Sequence, residues 1–336
     1  MTPYLKTLST GTTLSSSEAE AAMTHMLNGE AEPVEIAGLL MGLRTRGETL
    51  DELTGFTRVM RAHAVHVDAP EGAIDLCGTG GDGTGTFNIS TTAAFVAAGA
   101  GVPVAKHGNR SVSSRCGSAD VLEALGVNAG LRKDGVERCL REAGIAFLFA
   151  PYFHPALKHV MPVRRTLKAR TFFNILGPLC NPASVSRQLV GAFSQEVAEQ
   201  MAHILLRLGA ERVATVWSQD HLDELSISAP SHVYLAKAGD EAPRPMTVTP
   251  EQFGFERASA STLAGGDAQD NAAILRAILS GEPGPKRDVT LLNAGFALYT
   301  SGQFDSIEAA IDAARTSIDT GAAQEKLDAL IKTSNA

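Results

Sequence analysis

The chain has 336 residues, 44% of them apolar and 20% charged, enough to bury a full core in one large or two unequal domains. Its formal charge of −8, with no basic block, argues against a general polyanion binder, so an anionic ligand must be met by a local device. Cys77, Cys116, Cys139 and Cys180 are widely spaced without a C-x-x-C pair, neither a zinc pattern nor a disulfide framework, which suits a reducing, cytoplasmic setting.

The N-terminal segment lacks the apolar core of a signal peptide. Helices are expected over the first 65 or so residues. Ser17-x-x-Glu20 reads as a capping box before AAMTHML, Pro33 as a first-turn residue before VEIAGLLMGL, and Thr49-x-x-Glu52 as a second box before LTGFTRVM. The character changes at Ala73. AIDLC (73–77) reads as a short buried strand, followed by a helix near Ser90 to Ala100 and the strand VPVAK (102–106). The apolar run from Ala93 to Ala105 contains Gly and Pro and is too short to span a bilayer. Helices are expected at about 117–125 and 133–143, then the strand IAFLFA (145–150). His154 to Leu176 reads as helical, with a break before Thr171. LVGAF (189–193), a helix over Glu196–Leu208, RVATVWS (212–218) and HVYLA (232–236) follow, and a PRP-rich loop after Ala242. Helices at about 267–280, 286–300, 305–318 and 321–332 complete the chain.

Strands alternating with helices at this spacing imply βαβ units, hence an α/β class with a mainly parallel central sheet flanked by helices. Such a sheet needs helical cover on both faces. The N-terminal helices exceed what one face requires. They are read as a small all-helical domain over 1–70, joined by helices from about 154–183. Residues 71–336 form the large α/β domain.

The stretch from Asp75 to Thr91 places a glycine-rich loop between a strand and a helix. Glycine permits positive φ and close backbone approach, and a helix start offers free N–H groups and a positive dipole end. Asn88, Ser90 and Thr91 add side-chain donors. The combination suits a phosphate or diphosphate. Gly78-Thr-Gly80-Gly-Asp-Gly83 formally matches the dinucleotide fingerprint G-x-G-x-x-G. In that fold the last glycine lies within the helix and an acid about 20 residues on binds ribose. Here Thr84 to Phe87 still precede the helix, and the next strand ends at Lys106-His107. A Walker A loop is excluded because no Gly-Lys-Ser/Thr follows. Lys106 to Ser114 then crowds two cations, an amide and three hydroxyls into one strand-to-helix loop, at the sheet edge where open α/β sheets bind ligands.

With GTGGDG, FNIST, KHGNRSVSS, GSADVLEALG, HPALKHVMPVRRTLKARTFFNILGPLCNP, LDELS, GGDAQDNAAILRAILSG and LLNAGFALY in this order, nearly the whole chain resembles the anthranilate phosphoribosyltransferases. The related nucleoside (pyrimidine) phosphorylases share the fold. They are not expected to carry FNIST, KHGNR and RTxFNxLGPLxNP together. A non-catalytic, nucleic-acid-binding member of the superfamily is the other alternative, opposed by the −8 charge and by Asp223-Glu224.

The resemblance implies a small helical and a large α/β domain with the active site between them, usually in a homodimer joined through the helical domain. It implies transfer of a phosphoribosyl group from 5-phosphoribosyl 1-pyrophosphate to the amine of anthranilate, in tryptophan biosynthesis, with Mg²⁺. Carried over by motif, Gly78, Gly81, Asp82, Thr86, Asn88, Ile89, Ser90 and Thr91 should surround phosphoribosyl pyrophosphate. So should Lys106, His107, Gly108, Asn109, Arg110, Ser111, Val112, Ser113, Ser114 and Ser118. Ser90, Asp223 and Glu224 should hold Mg²⁺, which favours oxygen ligands. Gly78, Asn109 and Arg164 should contact anthranilate, Arg164 as a fork on its carboxylate, with Arg165 pointing elsewhere on the helix. No acid or base is assigned: His107 is read as positioning substrate. In Gln219-Asp220-His221-Leu222 the sequence departs from the family, which would place a glycine-containing turn ahead of the acids. His221 occupies part of it and bears on the path of that loop.

Overall fold

The computed structural model describes residues 1–81, 83–111 and 115–336. Helices α1 (Thr2–Ser9), α2 (Ser16–Leu27), α3 (Pro33–Arg46) and α4 (Leu50–Ala62) come first. The box that starts α2 is Ser15 with Glu18, not Ser17 with Glu20. Both pairs have the same spacing. Ser15 has the extended backbone of a cap, and buried Leu14 anchors the chain immediately before it. Glu20 instead pairs with Arg58 of α4. The Thr49–Glu52 box is present. Its Glu52 is wholly buried, accepts the Leu14 N–H at 2.8 Å and pairs with Arg46, so one carboxylate joins the starts of two helices to the end of a third.

Next come β1 (Ile74–Gly78), α5 (Ile89–Gly99), β2 (Val104–Gly108), α6 (Ser118–Ala124), α7 (Lys133–Glu142) and β3 (Ile145–Phe149). The connection to the following strand holds α8 (Ala150–Phe153), a 3₁₀ turn (Pro155–His159), α9 (Met161–Leu167) and α10 (Phe173–Leu179). Lys168, left-handed at φ 48°, ends α9 and makes the break before Thr171. Then follow β4 (Arg187–Gly191), α11 (Gln195–Arg207), β5 (Arg212–Ser218), β6 (Ser231–Lys237), β7 (Arg244–Val248), α12 (Ala268–Leu279), α13 (Pro285–Ser301), α14 (Ile307–Asp319) and α15 (Ala322–Ser334).

The sheet has the order β3-β2-β1-β4-β5-β6-β7. The first five strands are parallel and the last two antiparallel. The segment read as a PRP-rich loop is in fact β7. It is an edge strand, where Pro245 leaves no ladder hydrogen bond unmade on the open side.

Two cores flank the sheet. One face packs against α5 (Ala93, Ala94, Phe95, Val96, Ala97) and α13 (Leu291, Leu292, Phe296). The other core runs from the N-terminal helices through α9 and α10 to α11. Phe56 of α4 stacks on Phe172 at 4.3 Å, and Phe172 lies 4.6 Å from Phe173. Two backbone hydrogen bonds, Val65 N–H to Phe153 O and Val67 N–H to Pro182 O, lace the segments that leave and re-enter the sheet. No helix among the described residues is long and apolar enough to cross a membrane. From β1 the chain builds outward to β2 and β3, then returns to place β4 on the other side of β1. That reversal opens a crevice at the carboxyl ends of β1 and β4, where open α/β sheets take ligands.

Candidate active site at the sheet reversal

Gly78 and Gly191, the last residues of β1 and β4, are register partners. Asp223 lies directly over them. A Cβ on Gly191 would stand 1.5 Å from the Asp223 carbonyl oxygen, and one on Gly78 would stand 2.4 Å from its Oδ2. The same Oδ2 accepts the Gly80 N–H at 2.7 Å. A small pocket here is lined by Cys77, Ser90, Gly191, Asp223, Glu224 and Asn293. The sequence separates Ser90 from the acid pair by more than a hundred residues, and the fold brings them to one cavity.

His221 adopts the left-handed conformation (φ 69°) that glycine takes most easily. Its N–H bonds Ser218 O at 2.8 Å, and its ring meets the edge of Trp217 at 5.9 Å. The turn is thus made with histidine in place of glycine, and the acid pair still reaches the sheet edge. Ser218 Oγ donates to Glu224 O at 2.6 Å.

In the glycine loop, Gly80 and Gly81 have φ of 64° and 72°. Asp82 lies outside the described residues. Thr86 bridges to Ala264, Phe87 N–H bonds Leu263 O, and Gly265 N–H bonds Gly85 O, so the loop is backed by the segment before α12. The Gly81 carbonyl accepts from Arg170. Asn88 precedes α5 without capping it. Its Oδ1 accepts from Asn271 at 3.0 Å, and its Nδ2 donates to Cys116 O at 3.3 Å. No side chain of the N-cap therefore competes for the first amides of α5. Ile89 is buried, and the buried Thr91 hydroxyl has no hydrogen-bond partner among the described residues.

Lys106 is buried at the heart of the site and donates from Nζ to Leu76 O and, at 3.3 Å, to Ser90 Oγ. Burial lowers its ammonium from the ordinary range; Asp75, Cys77, Glu224 and Asp223 oppose that shift. Asp75, also buried, accepts the His107 N–H at 3.1 Å and Asn181 Nδ2 at 2.8 Å. Burial raises its carboxyl, against the Lys106 charge.

His107 points to the opposite face of β2, with its ring 5.3 Å from that of His154. Burial holds His107 well below the usual imidazole range, His154 adding to the shift; burial takes His154 to about 4, against a backbone hydrogen bond at Cys180. Both rings are therefore neutral at pH 7. Both Nε2 atoms are buried without a partner among the described residues. Arg164, at the end of α9, lies over the Phe173 ring at 5.0 Å and contacts Met161 Sδ. It makes no salt bridge among the described residues, and burial lowers its guanidinium. Arg165 is exposed.

Beyond Gly108, the next loop is pinned at its base. Ser118 Oγ donates to Asn109 O at 3.1 Å, and Asn109 Oδ1 accepts the Arg110 N–H. Asp120 Oδ2 accepts the N–H groups of both Ser111 (3.2 Å) and Gly117 (2.8 Å). Arg110 reaches Asp120 at 2.9 Å and Glu123 at 2.8 Å, so its charge is engaged by two acids of α6. Val112, Ser113 and Ser114 lie outside the described residues. The sequence reading named neither Asp120, Arg170 and Asn181 nor Asn271 and Asn293. For Asn181 and Asn293 the signal was an asparagine inside an otherwise apolar motif, in LGPLCNP and LLNAG; Asn271, in the polar GGDAQDNAA, carried no such mark.

Residues 2–64 match the glycosyl transferase family helical bundle domain, and residues 70–324 its a/b domain. The anthranilate phosphoribosyltransferase of Salinibacter ruber is 60% identical over 99% of this chain and 98% of its own. That of Moorella thermoacetica is 53% identical over 96% and 94%. The crystal structure of anthranilate phosphoribosyltransferase from Thermus thermophilus superposes with a TM-score of 0.91 at 41% identity, covering 99% of both chains. The enzyme from Saccharomyces cerevisiae in complex with PRPP and Mg does so at 0.89 and 27% identity, over 99% of this chain and 97% of that one. By sequence and by fold, with its glycine loop, buried lysine and acid pair drawn to one crevice, the chain belongs to the anthranilate phosphoribosyltransferase family.

Proposed function

We propose that this chain transfers the phosphoribosyl group of 5-phosphoribosyl 1-pyrophosphate to the amine of anthranilate, giving N-(5-phosphoribosyl)anthranilate and diphosphate in L-tryptophan biosynthesis. The observation that carries the reading is the convergence of Gly78, Gly191, Ser90, Lys106 and Asp223-Glu224 on the crevice between β1 and β4. The yeast relative, solved with PRPP and Mg and with 4-fluoroanthranilate, supports both substrates and the metal.

Asp223, Glu224 and Ser90 offer only oxygen donors. Among the described residues no group of three or more His, Cys, Asp and Glu forms a closed metal cage. That fits Mg²⁺, which commonly takes one or two carboxylates and completes its shell with substrate phosphates and water. Bound there, it would offset charge on the departing diphosphate.

Gly78, Gly81, Asp82, Thr86, Asn88, Ile89, Ser90 and Thr91 line the phosphate end in this reading, and the open amides of α5 face the anion. Lys106, fixed by Leu76 O, supplies a buried positive charge that needs no reorganisation as diphosphate leaves. His107 to Ser114 and Ser118 enclose the ribose and its phosphate, with Arg110 bracing the loop. Asn109 and Gly78 contact anthranilate, and Arg164, with no salt bridge among the described residues, takes its carboxylate. The neutral imidazoles of His107 and His154 orient the aromatic amine. A neutral amine attacking an oxocarbenium-like C1 needs positioning more than a strong base.

Residues 1–70 with 154–183 act as the small domain and 71–336 as the large one, closing about 64–72 and 150–185 to exclude water from the activated sugar. Val34 and Met41, exposed seven residues apart on α3, support a homodimer through the helical domain. The setting is cytoplasmic. The deciding assay follows anthranilate fluorescence. It should fall only when phosphoribosyl pyrophosphate and Mg²⁺ are both added, and a signal unchanged with both present rejects the reading.

A further inference from the structure

Asn293 sits in α13 among Leu291, Leu292 and Ala294, all buried, and is itself 1% exposed. A polar side chain in such a place is costly unless its hydrogen bonds are made. Here they are. Its Oδ1 accepts the Leu225 N–H at 3.0 Å, and its Nδ2 donates to Leu225 O at 2.9 Å and to Val289 O at 2.8 Å. The amide thus closes a two-bond ring with the peptide groups of the residue that follows Glu224. On the other side Ser218 Oγ holds Glu224 O at 2.6 Å. Asn293 also lines the pocket that Asp223, Glu224 and Ser90 share.

We infer that Asn293 is a positioning residue for the acid pair, an amide clamp from α13 that fixes the backbone carrying both carboxylates and so sets their affinity for a divalent cation. The inference rests on the reading of Asp223 and Glu224 as metal ligands. A loop of this kind has many backbone rotations open to it. Fixing one residue on both its N–H and its C=O removes those nearest Glu224, so the carboxylates meet the cation already aimed.

Asn293→Ala removes the clamp. Asn293→Leu keeps about the same size, adds no charge beside the acid pair and loses both donors and the acceptor. Mn²⁺ binding is followed by electron paramagnetic resonance with phosphoribosyl pyrophosphate saturating. The Mn²⁺ dissociation constant should rise about tenfold in both variants. The KM for anthranilate should stay within about twofold, because the hydrogen bonds of Asn293 go to Leu225 and Val289 and none to Gly78, Asn109 or Arg164. In metal-free protein, hydrogen exchange at the Leu225 amide should accelerate in both. Faster exchange with an unchanged Mn²⁺ constant overturns the inference, since the clamp would then be lost without consequence. The Asp223→Asn/Glu224→Gln variant separates the two layers. If it binds Mn²⁺ as well as wild type, the metal assignment fails and takes the clamp's role with it. If it loses Mn²⁺ while the Asn293 variants do not, only the clamp fails. Should neither Asn293 variant fold, the wild-type chain decides: the Leu225 amide must be protected to the level of the α13 core amides, and exchange at the unprotected rate overturns the clamp.

Discussion

Gly191→Ala tests the geometry of the crevice most directly. The new methyl would stand 1.5 Å from the Asp223 carbonyl oxygen and 2.5 Å from its carbon, where ordinary contact begins at 3.4 Å. A gap of about 2 Å must open, and the obstacle is backbone, so no rotamer change relieves it. Overpacking of this kind costs about 1–3 kcal/mol, and a backbone clash belongs at the upper end. The segment that moves carries the acid pair. A misplacement of roughly 1 Å at a reacting site costs about 100-fold in rate. Gly78→Ala gives the graded comparison. Its methyl meets only the end of the Asp223 carboxylate, at 2.4 Å, which can swing aside by surrendering the Gly80 N–H. It should lose about 1–2 kcal/mol of stability and raise the half-saturating Mg²⁺ about tenfold. Gly42→Ala, whose methyl meets Leu8 at an ordinary 3.5 Å, is the control and should keep wild-type kcat. Steady-state kinetics across a Mg²⁺ titration, with urea unfolding, reads all three. If Gly191→Ala keeps kcat and half-saturating Mg²⁺ within about twofold of wild type, the crevice is not where the chemistry occurs.

Three further outcomes follow. Arg164→Ala should raise the KM for anthranilate about 10- to 100-fold, the worth of a charge-assisted hydrogen bond, with little change in that for phosphoribosyl pyrophosphate; equal effects contradict its assignment. Asp120→Ala frees the Ser111 and Gly117 amides and leaves Arg110 to Glu123 alone, so it should raise the KM for phosphoribosyl pyrophosphate about tenfold and leave that for anthranilate. His154 titrates at about 4 when folded and near 6.5 when unfolded. The unfolded chain therefore binds the extra proton between those values, so stability is full above pH 6.5 and falls as pH drops toward 4. At pH 5 this amounts to about 2 kcal/mol, and His107 acts in the same direction. His154→Gln should flatten the urea-unfolding profile between about pH 7.5 and 5 by that amount, and an unchanged slope would count against the buried neutral ring.

The glycine loop and Lys106-His107 were legible because both lie where a strand hands over to a helix, and local pattern marks such places. The helices and most strands were legible for the same reason. What could not be read was adjacency. Nothing near β1 says that its neighbour will be β4, yet that pairing stacks Asp223 on Gly78. Asn181 reaches Asp75, and Asn271 reaches Asn88, across long stretches of chain. Local rules also failed where two choices were equally spaced, as with Ser15 and Ser17, or where tertiary position overrode propensity, as with Pro245 on an open edge.

The Gly80–Asp223 hydrogen bond has a consequence for how ligands report on one another. It joins the loop at the phosphate end to a carboxylate at the metal end, so the two ends share one conformational equilibrium. An occupant that redirects the carboxylate changes the freedom of the loop, and an occupant that orders the loop changes where the carboxylate points. Thermodynamic reciprocity then requires equal factors: however much the cation alters affinity for the diphosphate, the diphosphate alters affinity for the cation by the same ratio.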